Sequence, residues 1–130
     1  MRTFNYRNEA AFSAAFVKHL RRYNWIVQRI ESGTTGRGIP DIYAVSPKGN
    51  AFWFELKREH GDWNGMAQIH WRPGQQAWLS GITKYKQRAF TIACFDNCIV
   101  VIRHHKTYKN DVVHGSDVDE FWYSWKDAVR

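Results

Sequence analysis

An apolar run at residues 51–54 leads without a break into two charged residues, Glu55 and Lys57, and this junction constrains the fold more than any other feature of the sequence. Burying a carboxylate or an ammonium is costly, so a buried strand that ends in both indicates a use for them. Asp41 follows a proline and lies at hairpin distance from them, with a turn at residues 47–50. The sequence therefore predicts a β-hairpin that brings three charged side chains together.

The chemistry of this hairpin depends on which way the three side chains point. They share a face only if the turn holds an odd number of residues or a bulge, and the sequence leaves both parities open. The carboxylates of Asp41 and Glu55 are the hard oxygen ligands that Mg²⁺ takes, and the backbone carbonyl of Leu56 is a further candidate ligand. Lys57 would then hold a phosphate oxygen or a water molecule. The alternative is a hairpin with ordinary surface charges.

The hydrophobic spacing of the rest of the chain predicts an α/β layout in the order α-β-β-β-α-β-β-α. The first helix carries Glu9 at the rim of its apolar stripe, and Pro73 opens a second helix. The stripe comprises Phe12, Ala15, Phe16, His19, Leu20 and Tyr23. Ser116 caps a closing helix whose apolar face is Val118, Phe121, Trp122 and Trp125. The predicted strands are 25–31, 41–46, 51–57, 89–95 and 98–103, with a loop at 32–38.

Length and composition indicate one domain that spans residues 1–130. Its 44% hydrophobic content and its 7 Trp, 6 Tyr and 8 Phe exclude a disordered chain. The longest apolar runs, such as 98–102, are far shorter than a membrane span. The N-terminus lacks the apolar stretch of a signal peptide, so we expect a cytoplasmic protein, in the host cytoplasm if it is viral. Cys94 and Cys98 are expected to be small buried residues.

The charge of the chain points to a polyanionic partner. It has 19 Lys and Arg against 12 Asp and Glu, a formal net charge of +7, and a pI near 9.6. Nucleic acid is favoured over a membrane surface, because no helix carries Lys and Arg along one polar face. A zinc site at His104, His105, Cys98 and His114 is the weaker alternative, since consecutive strand residues point to opposite faces.

Three motifs resemble those of the PD-(D/E)XK nuclease superfamily, above all its virus-type replication and repair nuclease (VRR-Nuc) domains. They are Gly38-Ile39-Pro40-Asp41, Glu55-Leu56-Lys57, and Arg72-Pro73-Gly74-Gln75 followed by Trp78. The match covers residues 9–95. It departs from the family at Gly74, where an acidic residue is usual, and in the long segment 58–71. Archaeal-type Holliday junction resolvases are similar too, with an early-helix glutamate at Glu9 and a loop serine at Ser32.

The resemblance implies a restriction-endonuclease-like αβββαβ core, with a mixed central sheet flanked by helices, followed by a C-terminal strand and helix. It implies that Asp41 and Glu55 bind Mg²⁺, with Mn²⁺ as a substitute, and that Lys57 is the catalytic lysine. It further implies Glu9 as an outer-sphere or second-metal carboxylate and Gln75 as a supporting residue. The expected DNA contacts are Ser32, Arg37, Arg72, Lys84, Lys86 and Arg88.

We therefore expect a Mg²⁺-dependent endodeoxyribonuclease that acts on branched or otherwise structured DNA. A homodimeric Holliday junction resolvase is the alternative within this class, with Trp122, Tyr123 and Trp125 supplying the dimer surface. The closing helix would otherwise pack back on its own sheet. Two alternatives from other classes are an inactive protein of nuclease fold that binds nucleic acid and a small inhibitor that binds a host protein through its aromatic surface.

Overall fold

A six-stranded mixed sheet, with its strands in the order of the sequence, is the centre of the fold. The structure is a computed structural model, and it describes residues 6–30, 39–65, 68–104, 109–114, 118 and 121–122. The helices that lie wholly within these ranges are α1 (Glu9–Arg22) and α2 (Gln75–Ile82), and a 3-10 turn (Thr83–Tyr85) follows α2. The strands are β1 (Ile26–Arg29), β2 (Ile42–Val45), β3 (Ala51–Arg58), β4 (Arg88–Cys94), β5 (Cys98–Arg103) and β6 (Lys109–His114). The predicted αβββαβ order is confirmed. No helix within these ranges is long and apolar enough to cross a membrane.

Helix α1 begins at a side-chain cap and packs one face on the sheet. The Asn8 carboxamide oxygen accepts a hydrogen bond from the backbone N–H of Ala11 at 2.8 Å, which satisfies one free donor of the first turn. Phe16 meets Phe54 of β3 edge to face, with ring centroids 5.3 Å apart. The buried residues of the helix are Phe12, Phe16, Val17, His19 and Leu20. Most of the predicted stripe is confirmed.

The prediction for one residue of that stripe, Tyr23, is wrong because of where α1 ends. Tyr23 was expected to face the core, but the helix ends at Arg22 and Tyr23 is 51% exposed. Asn24, at φ 68°, takes the left-handed conformation that Asn tolerates better than most residues. This residue reverses the chain, so that Trp25 enters the core in place of Tyr23.

The β2–β3 hairpin settles the parity that the sequence left open. The backbone N–H of Ser46 donates to the Asn50 carbonyl at 2.8 Å, and Gly49 N–H donates back to the Ser46 carbonyl at 2.8 Å. Three residues, Pro47-Lys48-Gly49, therefore form the loop, and Gly49 adopts φ 89°. With an odd loop, Ile42 pairs with Phe54, and the next position along brings Asp41 opposite Glu55.

The middle of the sheet is buried on both faces. Strands β3 and β4 run parallel, and the connection between them carries α2. This helix starts two residues after Pro73, because Gly74 adopts φ 88° and cannot belong to it. On the face away from α1 a second cluster contains Ile69, Ala93, Phe95, Cys98, Val100 and Ile102. Trp63 and Trp71 pack against this cluster, so both contribute to the core.

The two cysteines are confirmed as buried residues without a disulfide. Burial raises the pKa of the Cys94 thiol to about 12 and that of Cys98 to about 11. Both thiols therefore stay protonated at neutral pH, which fits a packing role.

The C-terminal part differs from the prediction in two ways. Strand β6, which pairs antiparallel with β5, was not expected, because its first three residues are polar and break the alternation of a strand. Trp122 is buried with its ring centroid 5.0 Å from that of His19 and 5.6 Å from that of Trp25. It therefore packs on its own core and is not available as a dimer surface. Ser116, Tyr123 and Trp125 lie outside the described residues.

A glycine pair tests the hairpin geometry. Gly49→Ala should lower the free energy of unfolding by about 1 kcal/mol, because a Cβ meets no atom within 4 Å there but strains a residue at φ 89°. Gly81→Ala, within α2 and equally free of close contacts, should raise it by about 0.5–1 kcal/mol. Urea denaturation of both variants measures the change in the free energy of unfolding, which should be negative for Gly49→Ala and positive for Gly81→Ala. A neutral Gly49→Ala would contradict the three-residue loop.

Candidate active site

The hairpin places Asp41 directly in front of the strand that carries Glu55. Asp41 precedes β2, and its backbone carbonyl accepts from Ile30 N–H at 2.8 Å, which ties it to the end of β1. Its carboxylate oxygen Oδ2 accepts from the backbone N–H of Leu56 at 3.0 Å. Directly paired residues of antiparallel strands point to the same face. The carboxylates of Asp41 and Glu55 therefore share one face of the sheet.

The edge of β3 beyond β2 is lined by acidic side chains. Strand β2 begins at Ile42, so the N–H groups of Leu56 and Arg58 have no β2 partner there. The Asp41 carboxylate accepts a hydrogen bond from the Leu56 N–H, and the Glu9 carboxylate from α1 accepts one from the Arg58 N–H. The N–H and C=O of one strand residue point toward the same neighbour. The Leu56 carbonyl therefore points to the edge between these two carboxylates.

Gln75, the first residue of α2, joins the remaining two charged residues. Lys57 Nζ donates to Gln75 Oε1 at 2.8 Å, and Gln75 Nε2 donates to Glu55 Oε2 at 2.9 Å. The backbone N–H of Arg72 also donates to Gln75 Oε1, at 2.7 Å. Lys57 Nζ lies 3.4 Å from Glu55 Oε2. The side chains of Glu55, Lys57 and Gln75 are buried. Together with the contacts of Asp41 and Glu9 to the edge of β3, these hydrogen bonds bring all five predicted site residues into one place.

Burial dominates the electrostatics of Glu55. It raises the pKa of this carboxyl from 4.5 to about 8, repulsion from Asp41 adds to the shift, and Lys57 opposes it. Glu55 is 1% exposed, and its second oxygen, Oε1, has no hydrogen-bond partner among the described residues. The pKa of Glu9 is raised as well, first by burial, with Lys57 opposing and Asp41 reinforcing that shift. The raised pKa values mean that both carboxyls hold a proton more readily than exposed ones, and a bound cation would favour their ionised forms.

These donors fit a hard divalent cation. The described residues contain no group of three or more His, Cys, Asp or Glu side chains placed to hold a metal ion. Mg²⁺ does not need such a cage, because it keeps several waters and binds through one or two carboxylates. Asp41, the unpartnered Oε1 of Glu55 and the Leu56 carbonyl supply that number of oxygen ligands.

Arg58 secures the end of β3. Its guanidinium donates to the Tyr6 carbonyl at 2.7 Å and to Asp96 Oδ1 at 2.6 Å. The hydrogen bond from Arg58 holds the pKa of Asp96 below its usual range. Sequence reasoning did not find this role, because an arginine after a Glu-x-Lys motif looks like one more surface cation. The buried guanidinium fixes the backbone that presents Lys57.

A cleft of about 280 Å³ opens beside the acidic edge, and both Glu9 and Asp41 line it. Ser13 of α1 and Arg29 of β1 line the same cleft. Arg29 pairs with Ile42 across the strands, one residue from Asp41. Arg29 was not among the residues predicted from the sequence, although its position three residues before the loop at 32–38 was a usable signal. An exposed guanidinium beside an acidic edge is suited to a phosphate.

The predicted DNA contacts fall in three places. Arg72 lies at the site, where its charge lowers the pKa of Glu9. Ser32 and Arg37 lie outside the described residues. Lys84, Lys86 and Arg88 are at the other end of α2, and Arg88 pairs with Phe52 at the start of β3. These three stay predictions, and the structure does not bring them to the acidic pair.

Comparison with known proteins identifies the fold. No family model matches the sequence, and no curated protein is similar to it. Hjc, a Holliday junction resolvase from the archaeal hyperthermophile Archaeoglobus fulgidus, has a similar structure with a TM-score of 0.53. The match covers 85% of this chain and 91% of that chain at 13% sequence identity. The chain therefore has the restriction-endonuclease-like fold, and the expected fold class is confirmed.

The buried Glu55 predicts a pH dependence of stability. Its pKa is 4.5 when exposed and about 8 in the folded protein, so the folded state holds the proton more tightly. Its contribution is full below pH 4.5 and is lost as the pH rises to about 8, at about 1.4 kcal/mol per pKa unit. Glu55→Gln should therefore raise the melting temperature of the metal-free protein at pH 9 and change it little at pH 4.5.

The exposed Asp62 supplies the control for this measurement. Asp62→Asn removes a carboxylate without removing a buried charge, so its melting temperature should follow that of the wild type across the same pH range. A Glu55→Gln variant that melts below the wild type at pH 9 would show that the carboxylate is stabilised in the metal-free protein, against the burial argument.

Proposed function

We propose that the chain is a Mg²⁺-dependent endonuclease that hydrolyses phosphodiester bonds in branched DNA, formed by one nuclease domain at residues 1–130. The observation that carries this proposal is the Glu55 carboxylate, buried beside Asp41 with one oxygen unused by the described residues. A purely structural strand gains nothing from such a group, because its burial costs free energy. A metal ion on a phosphodiester gives it a use.

Asp41, Glu55 and the Leu56 carbonyl would hold Mg²⁺. When bound, the ion polarises the phosphate and lowers the pKa of a water molecule. Lys57 is kept beside the carboxylates by its hydrogen bond to Gln75, and only Gln75 and Glu55 engage its ammonium within the described residues. A third N–H therefore remains to donate to a phosphate oxygen or to orient a water.

Gln75 is a shared hydrogen-bond partner of Lys57 and Glu55, which also form an ion pair. Nζ and Oε2 lie 3.4 Å apart, and the amide accepts a hydrogen bond from the ammonium and donates one to the carboxylate. Both groups are thus oriented by Gln75, while Glu55 Oε1 has no hydrogen-bond partner among the described residues. Arg29 and Arg72 lie on the open side, where they would contact the phosphates that flank the cleaved bond.

Branched DNA is supported by the fold, which this chain shares with a Holliday junction resolvase. A VRR-Nuc-like nuclease is the form that the Arg72-Pro73-Gly74-Gln75 motif favours, and a homodimeric resolvase is the alternative. Two symmetric sites match the two cuts that a four-way junction requires. An inactive DNA-binding protein is disfavoured, because Asp41, Glu55 and Lys57 are all present and oriented.

The site is tested by conservative variants on supercoiled plasmid. Asp41→Asn and Glu55→Gln should each lower the cleavage rate at least about a hundredfold in Mg²⁺, since they remove ligand charge without changing volume. Lys57→Ala should lower the rate but leave the Mg²⁺ concentration for half-maximal rate nearly unchanged. Asp62→Asn is the control and should cleave like the wild type. Wild-type rates for Asp41→Asn would refute the site.

The form of the enzyme is tested on a cruciform plasmid. A homodimer that makes paired cuts should give linear product directly, whereas independent cuts pass through a nicked circle. Light scattering at micromolar concentration measures the mass of the same sample. A monomer that accumulates nicked circles would exclude the resolvase alternative and leave the nuclease proposal standing.

A further inference from the structure

A second groove lies at the opposite end of α2 from the active site. It has a volume of about 480 Å³, and its lining includes Trp78, Ile82, Lys84 and Tyr85. The lining thus combines apolar and aromatic side chains with a lysine. None of these residues belongs to the acidic edge, so the groove needs an explanation of its own.

Tyr85 is the feature of this groove that packing does not explain. Its side chain is 78% exposed. Tyr85 is the last residue of the 3-10 turn, and the next residue, Lys86, adopts φ 62°. Lys84 and Lys86 flank it in the sequence and are exposed as well. No hydrogen bond or ion pair holds any of these three side chains within the described part of the chain. A single exposed aromatic ring is common on protein surfaces, and what distinguishes Tyr85 is its place in the lining of a groove between two exposed ammonium groups.

We propose that this groove binds an unpaired DNA strand, with Tyr85 stacked on a base and Lys84 and Lys86 in contact with the adjacent phosphates. The proposal deepens the proposed function and rests on it. Aromatic rings combined with cations are the means by which proteins hold single strands, because every base has a stacking face and every nucleotide a negative charge. A duplex hides its base faces, so it would engage only the lysines. The net charge of +7 agrees with this partner.

The groove is connected to the active site by one helix and a row of aromatic rings. Helix α2 has eight residues, from Gln75 at the active site to Ile82 in the groove, which is about 12 Å. Trp78 packs on Trp53 with centroids 5.2 Å apart, and Trp53 packs on Tyr43 at 4.7 Å. Trp53 lies two residues before Glu55 on β3, and Tyr43 lies two residues after Asp41 on β2. Both rings therefore share the face of the sheet that carries the two carboxylates. A strand that spans this distance has roughly three or four nucleotides at about 3.4 Å each.

Binding is measured by fluorescence anisotropy in the Asp41→Asn background without divalent metal, so that cleavage plays no part. The probes are a labelled oligothymidylate of about 12 nucleotides and a duplex of the same length. Tyr85→Ala should weaken binding of the single strand about tenfold and change binding of the duplex less than twofold. Tyr85→Phe keeps the stacking face and should bind like the parent. Lys84→Ala and Lys86→Ala should each weaken both probes and reduce the single-strand salt slope by about 0.7.

Tyr23 is the matched control, because it is a second exposed tyrosine that follows basic residues and lines neither the cleft at the acidic edge nor the groove of Tyr85. Tyr23→Ala should bind both probes like the parent. If Tyr85→Ala binds oligothymidylate like the parent, or loses single strand and duplex equally, the assignment is overturned. Tighter binding of oligouridylate than of oligothymidylate would overturn the choice of DNA. Cleavage of DNA by the wild type is assayed separately and tests the nuclease proposal alone. Failure of the groove proposal can therefore be told apart from failure of the nuclease proposal.

Discussion

The side-chain amide of Gln75 is the contact on which the rest of the site depends. One amide offers both an acceptor and a donor, so it pairs with the Lys57 ammonium and the Glu55 carboxylate at the same time. Without it, two buried charges would be left to meet each other directly or to stay unsatisfied, and both arrangements are costly. The same contact fixes the start of α2 against β3. The same hydrogen bonds of Gln75 therefore position the helix on the sheet and orient the two charged residues.

The local part of the site could be predicted from the sequence. Strand alternation and a short turn are enough to place Asp41 near Glu55, and the structure has them opposite each other. The parity of the turn could not be predicted, because it depends on Gly49 in a left-handed conformation that the sequence permits but does not require. Glu9 and Gln75 come from helices distant in the chain. Only the resemblance to known nucleases pointed to them, since no spacing rule connects a helix to the edge of a strand.

Other features were missed because tertiary contacts override local pattern. Arg58 and Arg29 look like surface cations in the sequence, yet one is buried under the end of β3 and the other lines the acidic cleft. Trp63 and Trp71 occur in a polar segment, and their role in covering the second cluster depends on strands that follow later in the chain. Strand β6 begins with polar residues and is recognisable only from its pairing with β5.

Helix α2 connects the two regions to which the proposals assign chemistry and selectivity. Its first residue completes the charged site, and its last residues border the groove that Tyr85 overlooks. A single rigid helix keeps these ends at a fixed separation, whereas a loop would let it vary. In the proposed enzyme, the acidic edge would act on any phosphodiester that reaches it, since carboxylates and a metal ion recognise phosphate and not base. On the same proposal, discrimination among DNA structures would come from elements beside the acidic edge, and the groove at the far end of α2 would distinguish an unpaired strand from a duplex.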